Sequence, residues 1–91
     1  VARHAAIGER LKWARVRAQL TVRALADVAG VAFSAVSEIE KGERKPRADT
    51  LERLAVALKV PVCWLGFGEG STPEGWAADA EADGRPTQAI P

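Results

Sequence analysis

The chain has 91 residues, 47% of them hydrophobic, a single cysteine and a formal net charge of +1, a size that fits one small domain burying roughly two-thirds or less of its unfolded surface. The lone Cys63 excludes an intramolecular disulfide and supplies no metal cluster, and no run of about 18 apolar residues is present to span a membrane. Arg3, His4, Glu9 and Arg10 interrupt any opening apolar segment of the signal-peptide kind, so the expected compartment is the reducing cytoplasm.

The first predicted helix runs from about Ala5 to Ala18, with Ile7, Leu11, Ala14 and Ala18 on one stripe. The second starts after Thr21, a side chain suited to N-capping, and ends at Gly30, which takes up left-handed backbone at little steric cost. The third covers about Phe33 to Lys41 and stops at Gly42. The loop GERKPR follows, where Pro46 blocks continuation of the helix. The fourth runs from about Ala48 to Lys59 with Leu51, Leu54, Ala55 and Leu58 inward, and Asp49 favours its N-terminal end. The fifth is short, from about Pro61 to Gly66, with Val62 and Leu65 inward. Together these give a domain over residues 1–68. Residues 69–91 are rich in Gly, Pro, Ala and acid and read as an extension, with room for one short helix at 73–83 that Ser71 or Thr72 would cap and Gly84 would end. No strand pattern, internal repeat or heptad appears, so the expected class is all-α, with five helices and a C-terminal extension.

The stretch LTVRALADVAGVAFSAVSEIEKG, residues 20 to 42, carries the functional signal. Ala26 is small enough for the third helix to cross closely over the second, Gly30 makes the turn, and Val36 and Ile39 recur on one face of the third helix and pack inward. This is the plan of a helix-turn-helix, whose second helix enters the DNA major groove. Charge agrees: residues 1 to 60 hold twelve basic and seven acidic side chains, whereas residues 61 to 91 hold one basic and five acidic. A basic body suits an anionic partner, although an ordinary solvated surface would look the same by charge alone.

With Val36 inward, the helical period sends Ser34, Ser37, Glu38 and Lys41 outward and leaves Phe33 at the boundary. Each serine offers a short hydrogen bond, Glu38 can accept from cytosine N4, Phe33 can touch a thymine methyl, and Lys41 is the one long donor. Arg44, Lys45 and Arg47 crowd the loop after this helix. Thr21, Arg23 and the free N–H groups of the second helix form an anion site. These groups are the candidate phosphate contacts, with plain solubilising charges as the alternative. Glu40 points partly toward the body and needs a cation there.

The segments IGERLKWAR, LTVRALADVAGV, SAVSEIEKGERKP and TLERLAVALKVPVCWL, in that order and without a gap, resemble the DNA-binding domain of the Cro and phage-repressor type, the XRE family of bacterial and phage regulators. The likeness covers Ile7 to Gly68. It implies a compact five-helix bundle that binds double-stranded operator DNA as a two-fold homodimer. It implies base-edge contacts from the positions of Phe33, Ser34, Ser37 and Glu38, and a bridge from Arg15 to Glu40. It also puts a dimer contact near Trp64 and Leu65, to which Phe67 and Trp76 are added as candidates, with closure of the monomer core as the alternative. The chain departs from the family at Val22 and Phe33, where Gln is frequent, and at Ala32, where Ser or Thr usually caps the third helix.

The reading that follows is a sequence-specific DNA-binding transcriptional regulator, a repressor on a pseudo-palindromic operator. A restriction-modification controller or antitoxin-type autoregulator stands beside it, and a protein-interaction module retaining the fold is the alternative of another class. No cofactor, metal site, nucleophile or acid–base pair is expected, and hence no enzyme. A protein partner is conceivable through the extension. Trp13 lies off the inward stripe, where Trp76 and the C-terminal helix would cover it or it would simply flank the core. Cys63 reads as a half-buried small side chain and His4 as exposed and idle.

Overall fold

The computed structural model describes residues 5–70, 72, 73, 75 and 76. Five α-helices are present among them and no strand: α1 (Ala5–Arg17), α2 (Val22–Ala29), α3 (Phe33–Glu40), α4 (Ala48–Leu58) and α5 (Val62–Phe67). Their main contacts close a ring, in which α1 packs on α3, α3 on α2, α2 on α4, α4 on α5 and α5 back on α1. At the centre lie Leu11, Leu25, Val36, Ile39, Leu54, Trp64 and Leu65, the largest fully buried side chains. Each helix contributes at least one, so no helix can leave without exposing apolar surface worth roughly 25 cal/mol per Å².

Local chemistry places the helix ends. Thr21 Oγ1 accepts from the Ala24 N–H at 3.0 Å and starts α2. Gly30, at φ +73°, ends it, and the N–H groups of Gly30 and Val31 both return to the Ala26 carbonyl. Ala32 gives α3 no side-chain cap, and Arg47 gives none to α4. Gly8 has a different role. A Cβ there would meet the Ile39 carbonyl oxygen at 2.5 Å and that of Glu40 at 2.7 Å, so α1 lies directly on the last turn of α3. Close approach of this kind admits only glycine.

The structure moves some expected details. α1 ends at Arg17 because Gln19 takes φ +63°, so Ala18 falls in a turn and is exposed rather than on the inward stripe. Lys41 and Lys59 are the C-caps of α3 and α4 rather than their last helical residues. α5 begins one residue later than expected, with Pro61 as its N-cap and Val62 only half buried. Cys63 is exposed, not half buried. His4 and most of the proposed helix at 73–83 lie outside the described residues.

Beyond α5 the chain comes back to α1. Trp76 packs edge-to-face on Trp13 and on Trp64, with ring centroids 5.4 and 5.3 Å apart, and Trp13 and Trp64 complete the triangle at 5.8 Å. The Arg17 guanidinium lies 5.1 Å over the Trp13 ring. Trp13, displaced from the inward stripe, is thereby covered. Trp64 and Leu65, named as dimer candidates, are 1% and 0% exposed and close the monomer core. Trp76 is half buried in the same aromatic cluster, which leaves Phe67, at 69% exposure, as the candidate open to a partner.

Candidate nucleic-acid interface

α3 divides into two sides. Ala35, Val36 and Ile39 face the core. At about 100° per residue, Phe33 and Glu38 stand about 140° apart around the helix, with Ser37, Lys41 and Ser34 between them. Phe33, Ser34 and Lys41 are exposed, and Ser37 and Glu38 are half exposed. The outward arc thus has a floor of two short hydroxyl side chains, bordered on one edge by an aromatic ring and on the other by a carboxylate.

Both borders are occupied by arginines from neighbouring elements. The Arg23 guanidinium, from the first turn of α2, lies 4.8 Å over the Phe33 ring, within cation–π range. Arg44 Nη1, from the loop between α3 and α4, donates to Glu38 Oε1 at 3.2 Å. Two residues grouped by sequence with the phosphate contacts therefore meet two residues grouped with the base contacts. Lys45 and Arg47 stand exposed beyond them. Arg47 Nε is 3.9 Å from Asp49 Oδ1, a solvated pair that contributes little energy. Thr21 is exposed at the start of α2, and its hydroxyl can still donate while it accepts from Ala24.

The scaffold behind this face is held by arginines of another kind. Arg15 Nε donates to Glu40 Oε2 at 2.6 Å and Arg15 Nη2 to Glu40 Oε1 at 3.1 Å, a two-pronged bridge with both side chains nearly covered. Arg15 Nη1 also donates to the Leu20 carbonyl at 2.8 Å, so one guanidinium ties α1, the turn after it and the end of α3. Sequence reasoning missed two further ties. Arg53 on α4 donates to the Gly30 carbonyl at 3.2 Å and steadies the turn. Arg10 Nε donates to the Leu65 carbonyl at 3.0 Å at the end of α5, and its burial pulls the guanidinium below the ordinary arginine value while Glu9 opposes the shift. Gly8 was also missed, although a glycine inside a helical stripe, costing roughly 1 kcal/mol against alanine, is a signal of close contact.

Among the described residues no cluster of three or more His, Cys, Asp or Glu is arranged to hold a metal ion, and no helix is long and apolar enough to cross a membrane. The surface is a shallow polar arc ringed by cations, shaped to lie against an extended anionic partner.

Comparison with known proteins agrees with this architecture. Residues 11–65 match the helix-turn-helix family model. The chain is 40% identical over 68 residues to the HTH-type transcriptional repressor RghR of Bacillus subtilis, an alignment covering 74% of this chain and 50% of that protein. It is 33% identical over 85 residues to the transcriptional regulator ClgR of Mycobacterium tuberculosis, covering 91% of this chain and 76% of that one. Among solved structures, the restriction-modification controller protein C.AhdI from Aeromonas hydrophila superposes with a TM-score of 0.67 at 29% identity, over 71% of this chain and 98% of the controller. The chain thus spans half of RghR but nearly the whole of the controller domain. By fold, by the arrangement of α2 and α3 and by these likenesses, the chain belongs to the helix-turn-helix family of the Cro and phage-repressor, or XRE, type.

Proposed function

We propose that the chain is a sequence-specific DNA-binding transcriptional regulator that lays the outward arc of α3 in the major groove and acts from the nucleoid as a homodimer. The observation that carries this reading is the division of α3 itself, with Val36 and Ile39 buried on one side and, on the other, Ser34 exposed and Ser37 half exposed, flanked by Arg23 and Arg44. Short side chains let the helix sit close to base edges. Thr21, Lys45 and Arg47 grip the sugar-phosphate rails on either side and set the register. Repression follows from occupying a promoter.

A second copy supplies the partner half-site. Phe67 lines an open cleft of about 580 Å³ together with the apolar Ile7, Pro46, Leu51 and Val62, and Lys45, Arg47 and Glu52 also border it. Apolar surface of this kind is stabilised by covering it, and a two-fold copy presents the same surface in return. Two α3 helices then enter successive major grooves about 34 Å apart. The likeness to a restriction-modification controller favours, as the narrower reading, a controller of that kind.

The test is binding of the full chain to genomic fragments at about 100 mM salt with random DNA as competitor. A specific site should survive competition by about a thousandfold or more. Equal affinity for every duplex, or none for any, contradicts the reading.

A further inference from the structure

We propose that base identity is read by two arginines from outside α3, Arg23 and Arg44, each held over the arc by an α3 side chain that serves as its positioning residue. The proposal rests on the DNA-binding reading above and specifies its chemistry. Discrimination between base pairs comes mainly from side chains that make two hydrogen bonds to one base edge. The one long donor of the arc itself, Lys41, is the C-cap at the very end of α3, and no other residue of the arc is such a group. Ser34 and Ser37 are short, Phe33 has no polar atom, and Glu38, an acceptor, is engaged by Arg44 at 3.2 Å. The guanidinium is the group that matches the O6 and N7 acceptors of guanine with two parallel donors, and the structure brings one to each border of the arc.

The way each is held leaves its reading edge free. The Arg23 guanidinium carbon lies 4.8 Å from the Phe33 ring centroid, and a cation–π attraction of this kind takes up none of its N–H donors in a hydrogen bond to an acceptor atom. Arg44 uses one donor of five on Glu38. Both contacts restrict the long side chain before DNA arrives, which lowers the entropy lost on binding. The exposure of Phe33, 45% for so large an apolar side chain beside the interface, has a purpose on this account. So does Glu38, a carboxylate facing a polyanion. Its repulsion of phosphate is offset by the cation it holds.

The experiment selects a consensus with the full chain from a randomised duplex pool. It then measures affinity for the consensus, for duplexes with each guanine pair replaced singly and for a random duplex, with thermal melts showing that each variant is folded. Arg44→Ala should lower the preference at one guanine position by roughly 5- to 150-fold, and Arg23→Ala should do so at another. Glu38→Gln should weaken the same position as Arg44→Ala while leaving affinity for random DNA equal or higher, and Phe33→Leu should follow Arg23→Ala. If these arginines contact phosphate only, their removal weakens all duplexes equally and every base preference survives, which overturns the proposal and leaves the DNA-binding reading intact. A consensus without guanine overturns it likewise. Failure to bind any duplex overturns both.

Discussion

Glu38 and Glu40 stand two residues apart on one helix and each meets an arginine, yet they do opposite things. The Arg15–Glu40 bridge is two-pronged, with side chains 13% and 9% exposed, and it faces the body. The Glu38–Arg44 pair is single, with side chains 47% exposed on the arginine and 46% on the glutamate, and it faces outward. Water decides the difference. Screened by solvent, the outer pair contributes almost nothing to folding, and its place is to hold Arg44 toward the arc. Deprived of water, the inner pair must stay whole, because either charge left alone is costly. One helix thus carries a fixed side that holds the fold and an exposed side that meets the ligand.

This contrast can be broken from either end. The largest effect should come from Arg15→Ala, which strands Glu40 and the Leu20 carbonyl and should cost about 3 kcal/mol in urea unfolding. A loss below about 0.5 kcal/mol would put the bridge in the same class as a surface pair. Gly8→Ala attacks the same inner side through sterics, pressing a methyl on the carbonyls of Ile39 and Glu40, and should cost about 2 kcal/mol. Arg10→Met keeps the apolar stem but removes the donor to Leu65, and a loss of about 1.5 kcal/mol is expected from a charged hydrogen bond. The smallest effect belongs to the outer side. Arg44→Ala should change folding stability by less than about 0.5 kcal/mol while the preference at one guanine position falls. If Arg44→Ala destabilised the fold as strongly as Arg15→Ala, the division of α3 into a structural and a ligand-facing side would be wrong.

How legible these two sides were in the sequence follows the same division. The inner side is periodic: Leu51, Leu54, Ala55 and Leu58 recur at helical spacing, Val36 and Ile39 likewise, and Gly30 marks the turn, so five helices and most of the core could be read directly. Errors collected at helix ends, where Gln19 and Lys59 take positive φ without a glycine to announce it. The burial of Trp64 and Leu65 was ambiguous because it depends on α5 closing the ring against α1, a tertiary event with no local signature. For Trp13, off the stripe, the sequence left cover by the tail and a place flanking the core both open, and Trp76 packs on it. The outer side was legible only as a set of exposed residue types. That Arg23 stacks on Phe33 and Arg44 turns back to Glu38 leaves no periodic trace, since long flexible side chains choose partners by geometry across a turn or loop. Arg53 reaching Gly30 escaped notice for the same reason.

The account depends most on α3 presenting its outward arc to the duplex. Backbone amide chemical shifts of the full chain, followed by NMR during titration with the selected duplex, test that directly. The prediction is that shifts concentrate on residues 33–41, the start of α2 and the loop at 44–47, with the α1–α5 side little changed. Shifts confined to α1 and α5, with the residues of α3 unmoved at saturating DNA, would contradict it.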